Sequence, residues 1–136
     1  MILPNHGVVT AAGEKPWYPL HMFRFALLLF LASPALADDA VIEAAEARSS
    51  GDSWTFSVTL SHGDTGWDDY ADGWRVVDSE GTELGLRVLY HPHVEEQPFT
   101  RSLGGVSIPD GLDTVFIEAR TNVDGWGVAR FPVSLK

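Results

Sequence analysis

Apolar and polar residues alternate along much of the chain after residue 40, which is the pattern of half-buried β-strands. Residues 54–61 show it most clearly, because Trp54, Phe56, Val58 and Leu60 alternate with serine and threonine. The same pattern predicts further strands at residues 74–77, 84–90, 115–120 and 128–135.

Glycine, proline and aspartate separate these segments at intervals of roughly ten residues. Residues 79–81 turn the chain, so residues 74–90 are predicted to form a hairpin. Residues 41–48 fit either a helix or a first strand, and we favour the strand. About seven short strands predict an all-β fold, a single antiparallel β-sandwich of immunoglobulin-like type, with a small barrel as the alternative.

Residues 22–37 have the pattern of a cleavable signal peptide. Arg24 supplies a positive charge, residues 25–31 form a short apolar run, and small residues lead to a cleavage site predicted after Ala37. The run is about half of the ~20 residues that span a bilayer, so we expect no stable membrane anchor. Residues 1–21 are interpreted as a gene-model extension or a disordered segment. We therefore expect a periplasmic or secreted protein with one β-sandwich domain at residues 38–136.

Charge narrows the classes of partner for this domain. Eighteen acidic and seven basic side chains give residues 38–136 a formal net charge of −11. Such a surface repels nucleic acids and anionic lipid headgroups, which makes cations or basic partners better candidates. The sequence has no cysteine, which excludes disulfide bonds, thiolate metal ligands, a cysteine nucleophile and a lipid-modified cysteine within it.

Three histidines of the domain are candidate metal ligands. His91 and His93 point the same way on an extended chain, and His62 ends the clearest predicted strand. Neutral imidazoles are good ligands of copper and zinc. The His-x-His pattern resembles part of the copper site of copper–zinc superoxide dismutases. The resemblance ends there, because Pro92 lies between the two histidines and the domain has no further ones.

Residues 62–73 combine carboxylates with aromatic side chains. Trp67, Asp68, Tyr70 and Asp72 are candidate ligand-binding residues, because aromatic faces beside hydrogen-bonding groups bind sugars and other flat ligands. The carboxylates also allow an irregular calcium loop, although Tyr70 and Ser79 occupy positions at which an EF-hand needs oxygen ligands of a different kind.

No pattern typical of an enzyme stands out. The domain has no Gly-x-Ser-x-Gly elbow, and it has no glycine-rich phosphate loop followed by lysine. The chain resembles the general class of small exported bacterial immunoglobulin-like β-sandwich domains of unknown function. We therefore expect a non-enzymatic module that binds an unknown protein or small ligand through residues 62–73 and 91–99, which are expected to meet at one end of the sandwich.

Two other hypotheses stay open at this point. The first is a periplasmic copper or zinc binding protein that uses His62, His91 and His93. The second is a hydrolase or oxidoreductase whose site the sequence does not reveal.

Overall fold

The chain folds into an antiparallel β-sandwich, as the alternating pattern predicts. The structure, a computed structural model, describes residue 13 and residues 38–136. Residues 38–136 form eight strands: β1 (Val41–Ser50), β2 (Ser53–Ser61), β3 (Ala71–Val77), β4 (Glu83–Val88), β5 (Phe99–Val106), β6 (Thr114–Thr121), β7 (Gly125–Trp126) and β8 (Phe131–Ser134). No helix in this described part is long and apolar enough to cross a membrane.

The strands divide into two sheets. The first has the order β1-β2-β5, and the second has the order β4-β3-β6, with both β7 and β8 paired to β6. In the constant-type immunoglobulin arrangement the fourth strand lies beside the fifth, in the first sheet. Here β4 instead pairs with β3, so the first sheet has three strands and the second has five.

The core lies between the sheets and is built by the inward-facing residues of each strand. Phe56, Val58 and Leu60 of β2 are almost fully buried, as are Trp74 of β3 and Ile117 of β6. Each buried side chain of this size contributes about 1.5–3 kcal/mol of hydrophobic free energy. The alternation that predicted β2 is therefore the alternation that fills the core.

One glycine sets how closely the sheets approach at their β4–β5 side. A Cβ on Gly85 would lie 3.1 Å from side-chain atoms of both Leu103 and Val106. A larger residue at this position of β4 would therefore push against β5.

The structure also departs from the predicted strands. β5 was missed, because Gly104 and Gly105 interrupt its apolar pattern and Gly105 has a φ of +69°. The last predicted strand was wrong over residues 128–130, where the chain leaves the sheet and Val128 is 95% exposed. Apart from residue 13, the predicted extension and signal peptide at residues 1–37 lie outside the described residues.

Arginine, glutamate and tryptophan side chains stabilise the outer face of the five-stranded sheet. Glu118 accepts hydrogen bonds at 2.8 Å from Nε of Arg75 and from Nε of Arg130. Burial alone would raise the pKa of Glu118, but the hydrogen bonds and charges of these two arginines outweigh it and lower that pKa. The ring of Trp126 lies beneath the guanidinium groups of Arg75 and Arg120, at 4.1 and 5.2 Å.

We predict that Glu118→Gln destabilises the protein by about 2 kcal/mol at pH 7, because two arginines lose a buried carboxylate. Since the pKa of Glu118 is lowered from 4.5, this stabilisation is present above pH 4.5 and is lost as the pH falls further. Urea unfolding at pH 7 and near pH 3 should show the difference from wild type shrinking in acid.

The matched control for this prediction is Glu80→Gln, which changes an exposed glutamate in the β3–β4 turn. It should alter the free energy of unfolding by less than about 0.5 kcal/mol. Equal effects of the two substitutions at pH 7 would contradict a structural role for Glu118.

Candidate functional site

Three loops meet at one end of the sandwich, which we call the loop end: residues 62–70 between β2 and β3, residues 89–98 between β4 and β5, and residues 122–124 between β6 and β7. Consecutive antiparallel strands run in opposite directions, so every second connection returns to the same end. Hydrogen bonds join the first loop to each of the other two. The expected meeting of residues 62–73 and 91–99 at one end is therefore observed.

The buried carboxylate of Asp64 is the main link between the first two loops. Its Oδ1 accepts hydrogen bonds from Nδ1 of His62 at 2.7 Å and from the backbone N–H of Ala71 at 3.0 Å. Its Oδ2 accepts from the backbone N–H of His93 at 2.8 Å. Because Ala71 is the first residue of β3, one carboxylate fixes the end of one loop and the middle of another.

A second set of contacts runs through Gln97. The backbone N–H of His62 donates to Oε1 of Gln97 at 3.1 Å, and Nε2 of Gln97 donates to the carbonyl oxygen of His93 at 3.1 Å. The amide of Gln97 therefore uses its oxygen to join the first loop and its nitrogen to hold the backbone of its own loop. The Gln97–Pro98 peptide bond in this loop is cis. Arg101 of β5 forms an ion pair with Glu96 of the same loop, with Nη2 and Oε2 3.1 Å apart.

The ring of His93 is buried and has a defined tautomer. It stacks on Phe99 with centroids 3.8 Å apart, and its Nε2 lies 2.9 Å from Nη2 of Arg101. A guanidinium group only donates, so this Nε2 accepts and the ring proton is on Nδ1. Burial, followed by the charges of Arg101 and His91, lowers the pKa of His93, so the neutral ring is favoured.

Of the three candidate metal ligands, His62 and His93 are linked through Asp64, but both ring nitrogens of His62 and Nε2 of His93 are already engaged, while Nδ1 of His93 is buried without a hydrogen-bond partner. Both ring nitrogens of His62 have acceptors, Asp64 at Nδ1 and the carbonyl oxygen of Asp38 at Nε2. Nε2 of His93 faces Arg101, and the ring of His91 lies 4.6 Å from that of His93. Residues 38–136 hold no group of three histidine, aspartate or glutamate side chains arranged for a metal ion. Copper or zinc binding stays a prediction without geometric support.

The carboxylates proposed for calcium also point to separate partners. Asp72 Oδ1 accepts a hydrogen bond from Nε of Arg120 at 2.8 Å, while Asp64 is taken up by the network described above. Asp68 is exposed at the tip of its turn. These groups do not converge on one point, so the structure offers no calcium loop among the described residues.

Trp67 lies on a braced turn at the loop end. The backbone N–H groups of Thr65 and Asp69 donate across the turn to the carbonyl oxygens of Asp69 and Gly66. Gly66 has a φ of +143°, which favours glycine at this position. Trp67 itself is 67% exposed, and its ring meets that of Tyr70 edge to face, with centroids 5.8 Å apart and planes at 78°.

Asn122 holds this turn from the neighbouring loop, and sequence reasoning missed it. Its side-chain amide donates to the carbonyl oxygens of Trp67 and Asp68, and its Oδ1 accepts from the backbone N–H of Tyr70 at 2.8 Å. Tyr90, which is 75% exposed beside the histidines, was also missed. The asparagine before the Asp-Gly turn of residues 124–125 was the available signal, but a single asparagine does not reveal a distant partner.

Comparison with known proteins finds similarity to a relative over part of the chain. No protein-family model matches the chain, and no solved structure matches it. The chain is 38% identical over 87 residues to a protein of Halomicrobium mukohataei named "Putative lipoprotein". The match covers 64% of this chain and 42% of the relative, so the chain spans less than half of that protein's length.

We predict that Asp64→Asn destabilises the protein by about 1–3 kcal/mol, because the amide NH2 that replaces one carboxylate oxygen donates hydrogen bonds and accepts none, so it faces an N–H donor. Urea unfolding at pH 7 measures this loss. Asp68→Asn is the matched control, and its effect should stay below about 0.5 kcal/mol because that side chain is exposed. A similar loss in both variants would show that Asp64 is not the link between the loops.

We also predict that His93 titrates below the ordinary value of 6.5, with its proton on Nδ1 when the ring is neutral. Because its pKa is lowered in the folded protein, the part of the stability that depends on this ring falls as the pH drops below 6.5. Nitrogen NMR of the imidazole, assigned by the loss of its signals in His93→Phe, gives the midpoint and the tautomer. A midpoint above 6.5, or a proton on Nε2 at neutral pH, would contradict the contact with Arg101.

Proposed function

We propose that this domain is an exported, non-enzymatic recognition module that binds a partner through its loop end. The observation that carries the proposal is the largely exposed Trp67, held on a turn that Asn122 braces from the neighbouring loop. Tryptophan carries much of the binding energy of many interfaces, which makes Trp67, exposed and held in position, a natural contact.

Further exposed apolar side chains lie on the same three loops. Tyr90 and Val94 extend from the loop after β4, and Val123 from the loop after β6, each more than half exposed. Contiguous exposed apolar surface often marks an interaction site on a soluble protein. The polar residues between these side chains supply the hydrogen-bonding groups that the rim of an interface requires.

The bracing of the loops favours binding because it lowers the ordering cost. A loop that becomes fixed only on association loses conformational entropy, which subtracts from the affinity. Here the carboxylate of Asp64 and the amide of Asn122 fix the loops before any partner arrives. Loops presented by a stable scaffold are where binding residues of sandwich domains commonly lie.

The relative supports the cellular setting of this proposal. Its name places that protein among lipoproteins, which are exported, and this chain carries a predicted signal peptide at residues 22–37. Because the sequence has no cysteine, we take from that name only export to the cell envelope.

Site-specific photo-crosslinking in intact cells tests the proposal. A photoreactive amino acid is placed at Trp67 or Tyr90, on the loop end, and at Asp110 or Glu80, in connections at the other end of the sandwich. We expect discrete adducts from the first two positions and none from the other two.

Competition makes this experiment specific. Excess purified wild-type protein should suppress the adducts formed at Tyr90, whereas excess Trp67→Ala protein should not. Equal adducts from both ends, or equal suppression by the two competitors, would overturn the assignment of the loop end as the binding surface.

A further inference from the structure

We propose that the partner is a basic protein segment, and that a lysine or arginine side chain of it enters the corner between the rings of Trp67 and Tyr70. This inference rests on the proposed function of the loop end and adds the chemistry of the occupant. It follows from the shape of the aromatic pair and from the charge that surrounds it.

The two rings form a corner rather than a platform. Their planes lie at 78°, with centroids 5.8 Å apart, and Trp67 is largely exposed. A sugar ring stacks best on a flat aromatic surface, and two nearly perpendicular rings do not form one larger flat surface. A compact cation is attracted by ring faces from more than one side, as in the aromatic cages that bind ammonium groups.

The charge of the loop end favours the same ligand. The three loops contain six acidic residues and no lysine or arginine: Asp64, Asp68, Asp69, Glu95, Glu96 and Asp124. Within residues 38–136, Asp68, Glu95 and Asp124 form no ion pair. Unpaired carboxylates on three adjoining loops repel one another, and a cationic partner relieves that repulsion.

A cleft on the same end provides room for a second basic side chain. It has a volume of about 280 Å³ and is lined by Asp38, Asp39, Val41, Ser61, His62, Gly63 and Gln97. The side chain of Asp38 is 74% exposed. A basic segment with cationic residues a few positions apart therefore has more than one acidic contact here.

Charge also disfavours most of the other occupants that an exposed aromatic surface attracts. A second copy of residues 38–136 brings another eleven net negative charges, and nucleic acids and anionic lipids are negative as well. A neutral oligosaccharide is not repelled, but it gains nothing from the unpaired carboxylates. A basic segment is the partner that is attracted by both the aromatic rings and the unpaired carboxylates.

Calorimetric titration of the purified protein with hexalysine, at 50 and 300 mM NaCl, tests the inference. We expect binding that weakens with salt, as screening of charge requires. Trp67→Ala should weaken it about tenfold at the lower salt concentration, and Asp68→Asn by a smaller factor, because the cation loses a ring face or a nearby carboxylate. Circular dichroism of each variant checks that the sandwich is intact.

Two control variants match these changes in kind. Val128→Ala removes a side chain that is 95% exposed outside the three loops, and Asp110→Asn neutralises a carboxylate in the β5–β6 connection. Both should leave the affinity for hexalysine within about twofold of wild type. Equal losses in Asp68→Asn and Asp110→Asn, or no loss in Trp67→Ala, would show diffuse attraction to an acidic protein and would overturn the corner site.

Two further probes separate this inference from the proposed function. Hexaglutamate should not bind, and neither should cellohexaose, a neutral oligosaccharide. Binding of cellohexaose that depends on Trp67, without binding of hexalysine, would overturn the basic partner while leaving recognition at the loop end intact. Equal adducts from both ends of the sandwich in the photo-crosslinking experiment would instead overturn the proposal that the loop end binds a partner.

Discussion

The loop end depends on one buried carboxylate. Asp64 is inaccessible to solvent, and each of its oxygens is satisfied by donors from separate parts of the chain, the ring of His62, the start of β3 and the backbone of His93. A buried charge is tolerated only when it is hydrogen-bonded in this way, so the donors and the carboxylate require one another. These hydrogen bonds to Asp64 set the positions of the loops at residues 62–70 and 89–98. Asn122 joins the third loop, residues 122–124, to the first.

Scaffold and surface are stabilised by different interactions. Hydrophobic burial around Trp74 and Phe56 holds the two sheets together, and the ion pairs of Glu118 tie strands of the second sheet on its outer face. At the loop end the stabilising contacts are polar, with the hydrogen bonds of Asp64 buried and those of Asn122 exposed, and they leave Trp67 and Tyr90 free to contact a partner. The proposed binding residues therefore contribute little to folding, so they can be varied without loss of the sandwich.

The sequence predicted the features that depend on local patterns and missed those that depend on distant pairing. Strand β2 and the hairpin of β3 and β4 follow from period-two alternation and turn residues. Strand β5 was missed because Gly104 and Gly105 hide its pattern, although pairing with β2 supplies its stability. The histidines were placed at one end correctly, but a sequence cannot show that Asp64 contacts Nδ1 of His62 or that Arg101 contacts Nε2 of His93. Asn122 lies more than fifty residues from the turn that it braces, so its position before the Asp-Gly turn of residues 124–125 does not reveal that partner.

The most direct test of a preorganised loop end is nitrogen relaxation NMR of the free protein, with backbone order parameters for residues 62–70, 89–98 and 122–124. If the hydrogen bonds of Asp64 and Asn122 fix these loops before binding, their order parameters should be close to about 0.85, the value of rigid strands. Values below about 0.6 around Trp67 and His93 would show flexible loops, and would contradict a recognition surface that is formed in advance by Asp64 and Asn122.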